Sequence, residues 1–222
     1  MTDADDTAMA VLVTSLASRP QSPHPLDTFH NGSHYDCYLG EDTGSITANA
    51  HALQALISYL HHFPEEQHIY GPRADKLSDW LISQQQPEGP WPDKWHASPY
   101  YATERCVTAL VRRGYSRAAT AVDTAATWTL DTQRPDGSWG VWNGTAEETA
   151  YAVKILLSAG RGTAQRPRDT HALDRAKAYL DAVRVPGHRH PALWHDKTLY
   201  APEAMITAEV LAARELLRTR PH

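Results

Sequence analysis

Cysteine, phenylalanine and long apolar runs are scarce in this chain of 222 residues. The two cysteines, Cys37 and Cys106, are too few for a disulfide framework and are typical of a protein in a reducing cytosol. The sequence contains neither a signal-peptide pattern nor an apolar run long enough to span a bilayer. We therefore expect a cytoplasmic protein without a transmembrane segment.

Basic residues are also fewer than acidic residues. The chain has 21 Lys and Arg residues against 26 Asp and Glu residues, which gives a formal net charge of −5. A nucleic-acid surface needs clustered Lys and Arg, so this balance argues against a nucleic-acid partner. With 41% hydrophobic and 21% charged residues, the composition is that of an ordinary globular protein.

The aromatic residues are unevenly distributed by type, with seven Trp and ten Tyr against two Phe. Trp and Tyr combine an aromatic face with a polar tip. The sequence therefore predicts ring-lined pockets or turns that are held by indole groups.

The thirteen histidines invite a zinc site, but their spacing fits none of the standard patterns, and the cysteines are too few. We interpret His61-His62 and His188-Arg189-His190 as surface or loop residues. No metal site is predicted.

Helical periodicity runs through almost the whole chain. No stretch shows a convincing two-residue alternation of apolar and polar residues, so we predict no sheet. The first helix is apolar nearly all round and is predicted to be buried. The predicted helices cover residues 3–17, 45–61, 74–86, 100–113, 116–132, 145–159, 171–184 and 201–218.

The predicted helices alternate between small, Ala-rich ones and more charged ones. This pattern favours an inner layer that is packed on both sides and an outer layer that faces water. The Ala-rich helices begin near residues 45, 100, 145 and 201. A period of roughly fifty residues is typical of repeated helical pairs, so we predict an all-α fold of helical hairpins.

The turns after the outer helices also repeat. Their Pro, Asp and Gly residues favour a tight reversal, and the Trp can lie over a helix end. Where a Gln is present, its amide can bond the free backbone groups there. We interpret these turns as structural. They are Gln86-Pro87-Glu88-Gly89-Pro90-Trp91, Gln133 through Gly140, and a third turn without Gln, Pro186-Gly187 through Leu193-Trp194.

The Gln…Asp-Gly-Ser-Trp turn resembles the repeat of squalene–hopene cyclases and related terpene cyclases, whose domains are (α/α) barrels. Three further segments resemble class II diterpene cyclases of the copalyl diphosphate synthase type, in the order that the family has them. They are Asp3-Ala4-Asp5-Asp6-Thr7-Ala8-Met9-Ala10, Asp36-Cys37-Tyr38-Leu39-Gly40, and Leu193-Trp194-His195-Asp196-Lys197-Thr198-Leu199-Tyr200.

The acid motif of that family lies deep within the protein, after a first β-domain helix and an inserted γ domain, whereas here it occupies residues 3–6. The resemblance therefore implies a single β-type (α/α) barrel over residues 1–222 that lacks the first helix and the γ domain. It also implies a partner that supplies the missing part, either a γ domain or a complementary subunit. We expect the chain alone to have little or no activity.

The resemblance implies an isomerase that protonates geranylgeranyl diphosphate and closes a bicyclic copalyl-type diphosphate, the ent form being favoured. Asp5 would donate the proton, Asp3 and Asp6 would tune and orient it, and Asn49 would hold one oxygen of the donor. Crowded carboxylates favour the neutral form of one of them, which the reaction needs, whereas a helix N-terminus opposes it. From the residues alone, an acidic helix start and an Asn satisfied by backbone groups are the alternatives.

A migrating carbocation would need aromatic faces, which stabilise positive charge without bonding to it. For any single ring, plain core packing is the alternative. His51 is a candidate for the base that removes the final proton. The aromatic candidates are Trp95, Tyr100, Tyr101, Trp142, Tyr151 and Tyr200.

No cofactor is predicted in this chain. Asp5-Asp6 resembles the start of a class I Asp-Asp-x-x-Asp magnesium motif, but Met9 stands in place of its last acid. Magnesium would accompany the diphosphate only in the complete enzyme, through acids of the γ domain. Lys94 and Lys197 are candidate phosphate neighbours, although solvated lysines are the more common case.

Three other functions remain open from the sequence. One is the same chemistry on farnesyl diphosphate or squalene, and another is a non-catalytic helical barrel that serves as a partner subunit. The third is a barrel like the β subunit of protein prenyltransferases. That function needs a zinc site of Asp, Cys and His, which the sequence does not provide.

Overall fold

The computed structural model describes residues 2–41, 43–160, 167–184, 190–195 and 197–220. All eight predicted helices are confirmed. They are α1 (Ala4–Leu16), α2 (Ile46–His62), α3 (Gln67–Ser83), α4 (Pro99–Arg113), α5 (Ala119–Asp131), α6 (Ala146–Ala159), α7 (Pro167–Ala182) and α8 (Glu203–Thr219). Short 3₁₀ turns cover His24–Phe29, Pro64–Glu66 and Ser116–Ala118.

Local sequence signals explain where the inner helices begin. Asp3 and Ser45 are the N-caps of α1 and α2, and Ser98 caps α4 ahead of a proline in its first turn. Thr145 caps α6 through the backbone N–H of Glu148 at 3.0 Å and donates its own hydroxyl hydrogen to the Glu148 carboxylate at 2.8 Å. This exchange is a variant of the capping box.

The start of α3 differs from the prediction. The helix begins at Gln67 rather than residue 74 and includes Pro72. A proline inside a helix removes one backbone hydrogen bond, which is why the sequence favoured a later start. Tyr70 is buried and packs edge-on against Tyr59 at 5.7 Å between ring centroids, and this packing holds the first turns of α3 in place.

The inner and outer layers are arranged as the composition predicts, except that α8, which was predicted to be an inner helix packed on both sides, is exposed over most of its length. α2, α4 and α6 are buried along most of their length, and their alanines allow close approach to neighbours on both sides. The inner helices contact one another in series, α1 with α2, α2 with α4, α4 with α6, and α6 with α8. α3, α5 and α7 form the outer layer, and together these hairpins give the predicted (α/α) barrel architecture.

The prediction that α1 is buried all round was wrong. Ala4, Ala8 and Leu12 face α2 and are buried, whereas Val13 and Leu16 on the other side are exposed. Within the described residues, α1 packs against α2 and the 3₁₀ turn that follows it. The side of α1 that carries Val13 and Leu16 therefore faces solvent in this structure.

The prediction of no sheet was also wrong. Within the described residues, two short strands, β1 (Trp194–His195) and β2 (Leu199–Tyr200), pair antiparallel, with Trp194 opposite Tyr200. Strands of two residues are too short to show an alternating pattern. The hairpin is attached to the segment before α4, because the His195 N–H donates to the Trp95 carbonyl at 3.1 Å.

The repeated turns act as predicted, but the first one uses a different glutamine. Gln85, not Gln86, donates from Nε2 to the Gly89 carbonyl at 2.7 Å and to the Ala121 carbonyl at 2.8 Å. Gln86 is exposed. In the second turn, Gln133 does the same to Gly137 at 3.0 Å and Ala172 at 2.8 Å. Each amide thus joins its own turn to the next outer helix.

The two indoles of these turns are equivalent as well. Trp91 donates from Nε1 to the Leu81 carbonyl, and Trp139 to the Thr129 carbonyl, both at 2.6 Å. Gly137 has a φ of 87°, and a Cβ there would lie 2.6 Å from the Arg175 carbonyl oxygen. Glycine is therefore required in this turn both for its conformation and for the close approach of the outer helix.

The third turn departs from this pattern. Pro186 and Gly187 lie outside the described residues, as do His188, Arg189 and Asp196. Trp194 is described, and its indole N–H donates to the Glu147 carboxylate rather than to a helix end. No helix within the described residues combines the length and apolar content needed to cross a bilayer.

We expect Gln85→Ala and Gln133→Ala each to lower the free energy of unfolding by about 1–3 kcal/mol, because each change removes two hydrogen bonds to partly buried carbonyls. Urea denaturation of the 222-residue chain measures the change. Gln86→Ala is the matched control and should stay within about 0.5 kcal/mol of the parent. Equal effects of Gln85→Ala and Gln86→Ala would contradict the assignment.

Candidate active site

A cavity of about 340 Å³ opens at the end of the inner layer where α1 and α2 begin. Acidic, hydroxyl and aromatic side chains share its wall. The lining residues are Asp3, Asp5, Cys37, Tyr38, Thr47, Trp95, Tyr101, Trp194, His195 and Tyr200.

The first turn of α1 places two carboxylates at this cavity. The Asp3 carboxylate accepts the backbone N–H of Asp6 at 2.7 Å, so Asp3 is the N-cap. The Ala4 N–H donates to the Cys37 carbonyl at 3.0 Å, which attaches the start of the helix to the loop before α2. The acid motif thus includes the helix cap that the sequence left open as an alternative.

Asp5 and His51 form a direct pair across the α1–α2 contact. Asp5 Oδ1 lies 2.7 Å from His51 Nδ1. The His51 side chain is 7% exposed, whereas that of Asp5 is 39% exposed and faces the cavity. One carboxyl oxygen is therefore held by a buried imidazole while the side chain stays accessible.

The structure does not place Asn49 against Asp5, and this part of the prediction needs correction. Asn49 is fully buried, and its Oδ1 accepts the Tyr35 N–H at 2.8 Å. Its Nδ2 donates to the carbonyls of Tyr35 and Ser45, both at 2.8 Å. Both amide hydrogens are thus used on backbone groups, and the contact expected from Asn49 is made by His51.

Asp6 is exposed and does not line the cavity. It occupies the third position of α1, one residue beyond Asp5 and so about 100° further round the helix. Its predicted role in tuning the donor thus has no direct contact to support it.

The aromatic candidates fall into two groups. Trp95, Tyr101 and Tyr200 line the cavity, Tyr200 being about half exposed. Tyr100 does not, because its ring packs on Trp128 at 4.6 Å and its hydroxyl donates to Thr132 at 2.8 Å.

Trp142 is 62% exposed and lies outside the cavity lining. Tyr151 is buried behind Tyr101, with 5.4 Å between the ring centroids. A contact of any of these rings with a substrate stays a prediction.

Trp194 was not among the predicted site residues, but it completes the aromatic wall. Its ring centroid lies 4.7 Å from that of Tyr101 and 5.0 Å from that of His96. The β1–β2 hairpin carries Trp194, His195 and Tyr200 to the cavity together. The sequence signal was present in the Leu-Trp-x-x-Lys-x-Leu-Tyr segment, from which only Tyr200 was predicted to belong to the aromatic wall.

Asp93 is a second residue that the sequence reading missed. It accepts the Thr47 hydroxyl at 3.0 Å and the Trp95 N–H at 3.1 Å. Burial raises its pKa above the ordinary value, although these hydrogen bonds and the nearby His96 act in the opposite direction. Asp93 thus fixes the positions of Thr47 and Trp95 in the cavity wall.

Cys37 also lines the cavity, together with Asp3 and Asp5. Burial and the nearby carboxylates of Asp3, Glu41 and Asp5 raise the pKa of its thiol to about 12. The loop is held in place by Glu41, which accepts the Cys37 N–H at 2.8 Å and forms an ion pair with Lys94. Lys94 is therefore engaged, whereas Lys197 is exposed on the hairpin.

A buried network of ion pairs contacts the Tyr101 ring through Arg105. The Arg105 guanidinium lies 5.2 Å from the Tyr101 ring centroid and pairs with Glu104 and Glu209. Lys154 bridges the same two carboxylates at 3.5 and 2.5 Å. This network joins α4, α6 and α8, and burial, the largest cause, raises the pKa of the Tyr101 hydroxyl above its ordinary value.

The histidines of the sequence reading do not gather into a site. His61 and His62 are exposed, and His62 Nε2 lies 2.9 Å from the Ser15 carbonyl. Among the described residues, no group of three or more His, Cys, Asp and Glu side chains lies close enough together to hold a metal ion.

Comparison with solved structures shows a likeness to ent-copalyl diphosphate synthase from Streptomyces platensis, with a TM-score of 0.92 and 42% identity. The match covers 97% of this chain and 41% of that one.

Among curated proteins, copalyl diphosphate synthase of Streptomyces anulatus is 71% identical over 220 residues, and that of Streptomyces cyslabdanicus is 59% identical over 219 residues. The matches cover 99% and 98% of this chain but 39% and 41% of the relatives. The chain thus spans about two fifths of the length of these curated relatives.

The family model for the squalene–hopene cyclase C-terminal domain matches residues 39–182. These residues contain both repeated Gln…Trp turns and the inner helices α2, α4 and α6. On this match, the chain belongs to the squalene–hopene cyclase C-terminal domain family.

Proposed function

We propose that this chain is the acid-bearing part of a class II diterpene cyclase, which protonates geranylgeranyl diphosphate and closes a bicyclic copalyl-type diphosphate. The observation that carries the proposal is the position of Asp5, which faces an aromatic-walled cavity while His51 holds one of its oxygens. The likeness to copalyl diphosphate synthases supports the same reaction.

Asp5 delivers the proton in this proposal. The His51 Nδ1–H donates to Asp5 Oδ1, so Oδ2 of the neutral acid carries the hydrogen that is transferred to the terminal alkene. When the proton leaves, the same hydrogen bond stabilises the new carboxylate. His51 is therefore assigned to orient and activate the acid, rather than to remove the final proton as the sequence suggested.

The aromatic wall receives the charge that protonation creates. Trp95, Tyr101 and Trp194 line the cavity, and aromatic faces there would stabilise a tertiary carbocation without forming a bond to it. The first ring closure would take place against these faces, and the cation would keep moving until a proton is removed.

Cys37 needs a separate explanation, because a thiolate beside a carbocation would be alkylated. The pKa of about 12 keeps this thiol protonated at neutral pH, and a protonated thiol is a weak nucleophile. Burial and the neighbouring carboxylates thus also lower the reactivity of the cysteine.

The rest of the reaction chamber would come from a γ domain or a complementary subunit, which we propose as the partner of this chain. The name of the Streptomyces platensis protein specifies the ent series, whereas the names of the two more similar relatives do not. The ent configuration therefore stays a prediction, which chiral chromatography of the dephosphorylated product resolves.

A graft tests the proposed function. We expect a chimera in which this chain replaces the matching 220-residue segment of the Streptomyces anulatus enzyme to convert geranylgeranyl diphosphate to a copalyl-type diphosphate. Asp5→Asn in the chimera should lower kcat by about a thousandfold or more, since the amide has no acidic proton to give. Gas chromatography of the dephosphorylated products measures both.

The control for this graft is Asp79→Asn, which removes a carboxylate from outer helix α3 that pairs with Arg117. It should leave kcat unchanged. A chimera that folds but makes no cyclised product would refute the cyclase assignment, and an unchanged rate in Asp5→Asn would favour the non-catalytic barrel. Turnover of farnesyl diphosphate or squalene in preference to geranylgeranyl diphosphate would favour the other substrates.

His51→Phe keeps a planar ring but removes the donor to Asp5 Oδ1. We expect kcat of the chimera to fall by about a hundredfold, with KM changed by less than about threefold, because the acid loses orientation rather than substrate contact. Steady-state kinetics of the parent chimera and the variant measure kcat and KM. A rise in KM at constant kcat would show instead that His51 shapes the pocket only.

The Cys37 thiol should resist alkylation. In a Cys106→Ser background, iodoacetamide at pH 8 should modify folded chain about a thousandfold more slowly than a free cysteine of pKa 9.0, because each unit of pKa lowers the thiolate fraction tenfold. The rate should rise with pH towards 12 and become normal in urea. Modification of the folded protein at the free-cysteine rate would disprove the elevated pKa.

A further inference from the structure

Behind the aromatic wall lies a carboxylate that the proton transfer does not use. Glu147 stands in the first turn of α6, and its side chain is 0% exposed. Three groups reach one of its oxygens, Oε1. They are Trp194 Nε1 at 2.7 Å, Tyr151 Oη at 3.1 Å and His96 Nε2 at 3.3 Å.

The carboxylate of Glu147 determines which way this network runs. His96 Nδ1 lies 3.1 Å from both the backbone N–H and the carbonyl of Ser98 and can take either role, whereas an ionised Glu147 Oε1 can only accept. An indole, a phenol and the Nε2–H of the imidazole then all donate to the same oxygen. Such convergent donation, together with the helix N-terminus, stabilises a carboxylate anion.

Two of the rings in contact with this network also line the cavity. Trp194 donates to Glu147 directly, and its ring lies 4.7 Å from that of Tyr101. Tyr101 in turn packs against His96 at 5.1 Å and Tyr151 at 5.4 Å. The negative charge of Glu147 therefore lies directly behind the faces that border the cavity.

The ion network behind Tyr101 carries no net charge. Arg105 and Lys154 carry two positive charges, and Glu104 and Glu209 carry two negative ones in the same network. The field of Glu147 is thus not offset by that cluster. An anion behind an indole N–H increases the electron density of the ring and strengthens its attraction for a cation on the open face.

We propose that Glu147 is a positioning residue that makes this cavity selective for a hydrophobic cation over a neutral molecule of the same shape. It acts through Trp194, whose ring it both orients and polarises. The link to catalysis rests on the proposed function, in which the cation is the carbocation formed after protonation. The cation selectivity itself does not depend on that reaction.

The test compares two probes of matched shape on the 222-residue chain. Choline carries a trimethylammonium group, and 3,3-dimethylbutan-1-ol carries the neutral tert-butyl group in its place. Tryptophan fluorescence gives both Kd values. We expect the parent chain to bind choline more tightly, and Glu147→Gln to raise the Kd of choline about fivefold while the Kd of the alcohol stays the same.

Glu148→Gln is the matched control. Glu148 is an equally buried carboxylate in the same turn, but its oxygens accept from the Val141 N–H at 2.9 Å and the Thr145 hydroxyl at 2.8 Å. It should keep the choline preference of the parent. Equal choline affinity in the parent and Glu147→Gln, or an equal loss in both variants, would overturn the proposal.

Trp194→Phe provides a second variant, which keeps an aromatic face and removes the N–H that binds Glu147. Its preference for choline over the neutral alcohol should fall, as expected for Glu147→Gln. An unchanged preference counts against the proposal even if Glu147→Gln does not fold.

In the active chimera, Glu147→Gln should raise the share of products released after one ring closure and lower kcat at an unchanged KM. A parent chimera without cyclase activity refutes the proposed function while the probe experiment still tests Glu147. An active parent chimera with unchanged probe selectivity in Glu147→Gln refutes this inference alone.

Discussion

The contact between α1 and α2 is the constraint on which the site depends. Ala4 and Ala8 on one helix and the alanines of the other allow the two axes to come close, so that the Asp5 carboxyl reaches the His51 imidazole at 2.7 Å. Larger side chains at these positions would separate the helices and break this hydrogen bond. The small residues that seem only to fill space therefore set the geometry of the acid.

The same arrangement separates structural from chemical roles within one short motif. Asp3 caps the helix, Asp6 faces solvent, and Asp5 alone is held by a side chain from the neighbouring helix. Three acids of one type thus differ because a helix turns about 100° per residue. The surroundings of each position, more than the residue type, decide which of them is held at the cavity by a partner side chain.

Much of the fold could be predicted from the sequence, and the reasons are local. Helical periodicity, N-caps and the repeated Pro/Gly turns all act within a few residues, so all eight helices were predicted, and so was the layering except at α8. The errors at α3 and at the β1–β2 hairpin arose where tertiary packing, such as burial of Tyr70, or very short pairing decides. From the motif, Asp5 was expected at the site, and the structure places it in the cavity lining. Asn49 and His51 lie half a turn apart on α2, and only the three-dimensional structure shows which of them contacts α1. Glu147 and Trp194 could not have been paired from the sequence, since 47 residues separate them.

The side chains of Gln85 and Gln133 affect how the molecule unfolds. In most arrays of helical pairs, each unit contacts only its neighbours through side-chain packing, and the units can open one at a time. Here a single amide bonds a turn and the following outer helix together. Local unfolding of one hairpin therefore breaks a hydrogen bond to the next hairpin. Successive hairpins are for this reason expected to unfold together, as one cooperative unit. The part of the cavity wall that α4 carries, Tyr101, lies within that unit and keeps its position as long as the whole array does.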